Sequence, residues 1–155
     1  MIKNLFSSLP SNSKVWLYSS SRKLEEKEQI ELNLDLDLYA EKWFSHGKTL
    51  FAKAALINPY IVCFAVDDTK VHASGCSIDD SVKFLKFLGE KYKTNFFDRT
   101  KFWTITNGNV VLQNFSQLND NPERELFNLQ AKTVKELEEK PLIKVKEYLA
   151  QFNRV

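Results

Sequence analysis

Six consecutive apolar residues, Ile61-Val62-Cys63-Phe64-Ala65-Val66, constrain this 155-residue chain more than any other feature. Side chains of a strand point alternately to its two faces, so a strand without a polar position must be covered on both. A second apolar run, Leu50 to Ile57, precedes it, and Asn58-Pro59 separates the two. The pair reads as a hairpin, with Pro demanding a looser loop than the two-residue Asn-Gly kind. Cys63 is then a core residue of the inner strand.

The neighbouring segments supply the rest of an architecture. Lys14-Val15-Trp16-Leu17-Tyr18-Ser19 is aromatic and β-branched, which suits a strand. From Leu24 to Phe44 two periodicities compete. Ile30, Leu32, Leu34, Leu36 and Leu38 alternate with polar residues as in a half-buried strand, while Leu32, Leu36, Tyr39 and Trp43 lie at helical spacing. Asp35, Asp37 and Asn33 are poor strand formers and the flanks are rich in Glu, Lys and Leu, so the segment is predicted helical. His46-Gly47-Lys48 reads as its stop, with Gly47 at the left-handed cap.

A second helix is predicted from about Ile78, with Ser77 and Asp80 as a capping box and Ile78, Val82, Leu85, Leu88 and Tyr92 as one apolar face. Lys101 to Thr106 and Val110 to Asn114 flank Asn107-Gly108-Asn109, a hairpin signature. The tail is predicted as two helical pieces, one capped by Thr133 with Glu136 and one beginning at Pro141. The order strand, helix, strand, strand, helix, strand is ferredoxin-like. The expected class is α+β: an antiparallel sheet with helices packed mainly on one face, an extra hairpin strand and C-terminal helices.

Composition agrees with one domain over residues 1–155. The chain is 43% apolar with twelve Phe and three Trp, and a domain this long buries roughly 70% of its unfolded surface without a metal or disulfide staple. No Gly- or Pro-rich linker divides it, and no repeat is present. Net charge is +2, from 22 basic and 20 acidic residues, which lacks the basic excess of a nucleic-acid binder. The acidic lean of Glu25 to Glu41 and the basic lean of Lys132 to Arg154 read as solvated helix faces. Met1 to Ser13 shows neither a long apolar core nor a cleavage pattern, so no signal peptide is expected. No run approaches a membrane span. A cytoplasmic setting with Cys63 and Cys76 as free thiols follows.

Chemistry is tested motif by motif. Gly47-Lys48-Thr49 matches the end of a phosphate-binding loop, but Lys42 stands where the motif needs its first Gly. Without that glycine the backbone amides cannot cradle phosphates. Ser74-Gly75-Cys76-Ser77-Ile78-Asp79 places a thiol just ahead of a helix start, where unpaired amides and the helix dipole favour negative charge. The same turn could hold a carboxylate or phosphate on free amides. The plainer reading has Gly75 permitting a tight turn, Ser77 capping, and Cys76 as a small buried residue. A phosphatase-type loop needs Arg six positions after the cysteine, and Val82 occupies that place. A Cys–His pair is conceivable, with His46 or His72 as base and Asp79 to orient it. Histidines are more often solvated or helix-capping, and two His with two Cys so scattered lack zinc spacing. No metal and no cofactor are expected. Trp16 and Tyr18 share a strand face near Arg22, a set that can form a recognition pocket or equally a core with an Arg at its rim.

Several of these segments together resemble a family of small bacterial proteins of about this length. They are Val15-Trp16-Leu17-Tyr18 with Arg22, Trp43 with His46-Gly47, Phe64-Ala65-Val66-Asp67, and Ser74-Gly75-Cys76-Ser77-Ile78-Asp79 followed by Ser81. Members are sometimes described as transporter ATPases, an activity that this chain's incomplete phosphate-binding loop does not support. The resemblance implies no activity by itself.

The leading functional expectation is therefore a non-catalytic binding or protein-interaction domain for an unidentified small molecule or protein. Its candidate ligand site is Ser74, Gly75, Cys76, Ser77 and Asp79, with Trp16, Tyr18, Arg22 and His46 as neighbours. The alternative is a cysteine-dependent enzyme using Cys76 with His46 or His72. A third reading is a subunit that buries apolar surface against a partner.

Overall fold

The computed structural model of the protein describes residues 2–153; Met1, Arg154 and Val155 lie outside it. In chain order the regular elements are β1 (Lys14–Ser19), α1 (Glu26–Lys42), β2 (Phe44–Ser45), β3 (Lys48–Thr49), β4 (Ala52–Asn58), β5 (Ile61–Val66) and α2 (Gly75–Lys91). Then follow β6 (Lys101–Thr106), β7 (Asn109–Asn114), β8 (Glu125–Phe127), α3 (Val134–Glu139), β9 (Leu142–Lys144) and α4 (Val145–Ala150). The class is α+β.

The apolar run sits where its composition demands. β5 is buried at every position and lies between β1 and β4, antiparallel to both. Its Val62, Phe64 and Val66 face α1 and α2, together with Tyr18 of β1 and Ala54 and Leu56 of β4. Ile61, Cys63 and Ala65 face the other way, against Phe6, Ala131, Val134 and Leu137. Cys63 is wholly buried, and burial pushes its thiol well above the ordinary range.

The contested segment is a helix. Glu25 and Glu28 form a reciprocal capping box at its start. The alternating pattern, wound at 3.6 residues per turn, then splits between two sides. Leu32, Leu36 and Ala40 are buried on the sheet, while Ile30, Leu34 and Leu38 point outward at about 60% exposure. Asn33 Oδ1 accepts from the Leu56 amide at 2.9 Å, so α1 also closes the outer edge of β4.

A single ferredoxin-like sheet does not form. The first sheet holds β1, β5 and β4 only, and β6 turns into a second sheet of order β7-β6-β8-β9. The open edge of β1 is taken at its start by the α3 approach: the Val15 amide donates to Lys132 O at 3.0 Å and the Val134 amide to Ser13 O at 2.9 Å. Helices packed on one face leave the other face of β5 apolar and bare, and the second layer exists to cover it. Trp103 of β6 ties the two sheets, its indole N–H donating to Ser20 O at 2.8 Å and its ring lying 4.4 Å from Tyr60.

Two local expectations are corrected. His46-Gly47 is not a helix stop: α1 ends at Lys42, and His46 and Gly47, with φ of 51° and 77°, make the turn of the small β2–β3 hairpin. Pro141 does not begin a helix, because Leu142–Lys144 is drawn into pairing with β8 before α4 can start at Val145. β8 itself and the 3-10 turn Phe115–Asp120 were not foreseen. The Asn107-Gly108 hairpin forms as expected, with φ of 50° and 80° at its turn.

Candidate functional site

The helix start at Ser74 is organised differently from its sequence reading. The cap is Ser74, whose Oγ accepts from the Ser77 amide at 3.1 Å, while Ser77 Oγ donates back to Ser74 O at 2.8 Å. Ser77 is buried in the first turn and is not the cap. Gly75 and Cys76 are the first two helical residues and both are exposed, so the thiol stands inside the helix, not ahead of it. Gly75 has no positive φ, and a Cβ there would meet nothing within 4 Å; no tight turn requires this glycine.

An aromatic floor lies beneath. Trp43 donates its indole N–H to Ser77 O at 2.8 Å, and Trp16 packs edge-on against Trp43 with centroids 6.4 Å apart. Tyr39 stacks on Phe84 at 4.2 Å and donates its hydroxyl to Asp80 at 2.5 Å. Burial and the Asp80 carboxylate push the Tyr39 hydroxyl well above its ordinary range. Asp79 is exposed in the following turn beside Asp80.

The histidines do not join the thiol. Among the described residues no hydrogen bond links Cys76 to either. His72 is exposed and its Nδ1 lies 3.2 Å from Asp68 Oδ2, which also meets Lys14 Nζ at 2.9 Å. Burial raises the Asp68 carboxyl, but Lys14, the Ala73 amide and His72 outweigh it and hold it below the usual carboxylate range. His46 is exposed on its hairpin turn.

Arg22 lies at the far end of α2. Its guanidinium donates to both Glu28 oxygens at 2.9 and 2.5 Å, to Tyr92 O at 2.5 Å and to Lys93 O at 3.3 Å. These carbonyls are the orphan acceptors of the helix C-terminus, so Arg22 caps the end of α2 and clamps it to the start of α1. A 17-residue helix separates it from Ser74, about 25 Å at 1.5 Å per residue. Arg22 and the Ser74 turn therefore cannot share one ligand site. The hydrogen bonds from Arg22 pull the Glu28 carboxyl down to about 2.

A second place was invisible in the sequence. Between the C-terminal end of β1 and the second sheet lies a cleft of about 150 Å³. Its walls are largely aromatic, from Phe96, Phe102, Trp103 and Phe127, and Tyr18, Tyr148 and Arg99 also belong to its lining. Burial raises both phenols, and the positive charge of Arg99 works against that rise at each of them, which places the guanidinium within electrostatic reach of both. Arg99 makes no hydrogen bond or ion pair among the described residues. Lys101 at the rim is bonded to Asn114, and Asp98 accepts from the Thr100 amide and hydroxyl at 2.9 and 2.6 Å. Arg99, with no partner among the described residues, thus lines an aromatic pocket within electrostatic reach of two phenols.

Nothing local in Phe96-Phe97-Asp98-Arg99 marks this site. Its lining comes from β1, β6, β8, β9, α4 and the stretch after α2, and only the pairing of the second sheet assembles it. A wider depression of about 650 Å³ lies beside α3 and α4, but Lys140 and Glu147 on its wall already pair with each other at 2.5 Å.

No family model matches this chain, and no curated protein and no solved structure matches it either.

Proposed function

We propose that the protein is a cytoplasmic, non-catalytic binding domain whose ligand site is the cleft between the two sheets. One observation carries the reading: Arg99, without a hydrogen-bond or ion-pair partner among the described residues, lines an aromatic pocket to which Tyr18 and Tyr148 also contribute. Convergent polar groups in an apolar concavity are the ordinary make-up of a small-molecule site. The chemistry fits a small anion with an apolar body. A guanidinium presents a fork of donors that matches a carboxylate, and two phenols can add donated hydrogen bonds. A volume near 150 Å³ is that of a pocket able to hold benzene, so the body is one ring or a short branched chain.

The helix start supports an anion less well. It offers two free amides with Asp79 and Asp80 alongside, and its serine hydroxyls are occupied by the cap. The cysteine-enzyme reading has no support at the thiol, since among the described residues no hydrogen bond joins Cys76 to His72 or to His46, which sits on a separate hairpin turn. Free thiols at Cys63 and Cys76 agree with a reducing compartment. The likeness to small bacterial proteins adds no activity to this reading.

The test is titration of the full chain with benzoate, 4-hydroxybenzoate and the neutral benzamide, followed by backbone amide NMR. Benzoate should shift the signals of Tyr18, Arg99 and Trp103 with affinity about millimolar, as suits a nine-atom ligand. Arg99→Gln should weaken it about tenfold or more, while Cys76→Ser leaves it unchanged. Shifts confined to Ser74–Asp79, loss of binding in Cys76→Ser, or no binding of any of the three compounds would each refute the proposal. Equal binding of benzamide would refute the anionic ligand class alone.

A further inference from the structure

The outer face of α1 is apolar where a solvated helix should be polar. Ile30, Leu34 and Leu38 are 61%, 59% and 58% exposed and lie at four-residue spacing, so they form one stripe about 12 Å long. Phe87 of α2, 59% exposed, flanks it. The neighbouring turns of α2 fix its place: Phe84 stacks on Tyr39, and Lys91 meets Glu31 at 3.3 Å and Asp35 at 2.8 Å. Together these four exposed side chains make an apolar surface on the order of 400 Å².

Two opposite charges stand at the ends of the stripe, equally far from its centre, while the acidic Glu31 and Asp37 flank it. Lys27 lies seven residues before Leu34 and Glu41 seven residues after it, both exposed and both on the outward side of the helix. Neither has an ion-pair partner among the described residues. A second α1 laid antiparallel on the first, with Leu34 at the two-fold axis, sets each Lys27 against the other copy's Glu41. The same operation lays Ile30 against Leu38 and keeps the α2 flanks on one side, bringing the two Phe87 rings together. A parallel arrangement instead opposes Lys27 to Lys27 and Glu41 to Glu41. The surface is therefore complementary to itself in one orientation, which is the requirement of a two-fold interface.

We propose that the protein forms an antiparallel homodimer through the outer face of α1, centred on Leu34. The apolar patch supplies about half of the roughly 800 Å² per partner of a standard interface, with the charged rim supplying the remainder. It leaves the ligand cleft open, because that cleft lies at the junction of the two sheets and not on the helical layer.

Sedimentation velocity of the full chain between 1 and about 200 μM tests it. The 18.1 kDa chain should approach twice that mass with rising concentration. Leu34→Asp should stay monomeric, with an unchanged circular dichroism spectrum because the residue is exposed. Lys27→Glu and Glu41→Lys should each weaken association about tenfold, and the double charge swap should restore it. A monomer at every concentration overturns the proposal, and so does a dimer indifferent to Leu34→Asp. A dimer that Leu34→Asp abolishes but the double swap fails to restore overturns the antiparallel register.

Discussion

The start of α2 and the cleft between the sheets both set polar groups over an aromatic floor, yet they differ in what those groups are already doing. At the helix start the polar side chains that converge are engaged by the fold. Ser74 caps the helix and Ser77 bonds back to it, Trp43 takes a carbonyl of its first turn, and Tyr39 takes Asp80. In the cleft the guanidinium of Arg99 has no hydrogen-bond or ion-pair partner among the described residues. A distinctive run of residues can be distinctive because folding needs it, and a binding site is better recognised by polar groups the fold leaves unanswered.

Substitution at the helix start should therefore damage stability and leave ligand affinity alone. Trp43 is 2% exposed and touches Trp16, Tyr39 and Phe64, so Trp43→Ala should cost about 3–5 kcal/mol in urea unfolding. Trp43→Phe keeps the ring and should cost about 1–2 kcal/mol, chiefly the lost bond to Ser77 O. A drop in benzoate affinity in this folded variant would break the contrast between the two places.

Ser74→Ala should cost about 1 kcal/mol through loss of the cap, and Ser74→Gly only a few tenths. That ordering is measured by the same unfolding experiment, and a larger loss on Ser74→Gly would contradict the cap. At the opposite end of the helix, the Arg22–Glu28 clamp should show in the pH dependence of stability. The Glu28 carboxyl is lowered from 4.5 to about 2 in the folded chain. Its contribution is thus complete above pH 4.5 and is lost as pH falls toward 2. Both partners are partly exposed, so the effect should stay below about 1 kcal/mol. Glu28→Gln should flatten this part of the profile; an unchanged slope would remove the clamp from the account.

The smallest stability effect is expected in the cleft. Arg99→Gln should change stability by less than about 0.5 kcal/mol, since the side chain is exposed and has no partner among the described residues. A marked destabilisation there would assign Arg99 to the fold and sink the comparison. Thiol labelling offers an independent check: iodoacetamide should modify the exposed Cys76 in the native protein and reach Cys63 only on unfolding.

Features that depend on a few adjacent residues were legible in the sequence. The buried inner strand, both long helices, the Asn107-Gly108 hairpin and the Thr133 cap rest on periodicity, turn chemistry and side-chain-to-backbone bonds within three or four positions. The same rules located a helix start near Ser77 but chose the wrong serine. Ser74 and Ser77 both satisfy the local pattern, and it is burial of Ser77 under Trp43 that decides between them.

Long-range pairing was decided by tertiary structure alone. Whether β6 joins β1 or starts a second sheet depends on which cover the bare face of β5 receives, and that is a competition among distant segments. Pro141 suited a helix start until Ile143 found Leu126 across the ladder. The same pairing brought Arg99, Tyr18 and Tyr148, spread over 130 positions, to one cleft. The apolar content of Ile61 to Val66 demanded two covered faces from the outset; how the chain would supply the second cover was settled only when distant strands could be compared for fit, because burial rewards the whole packed layer and no single segment of it.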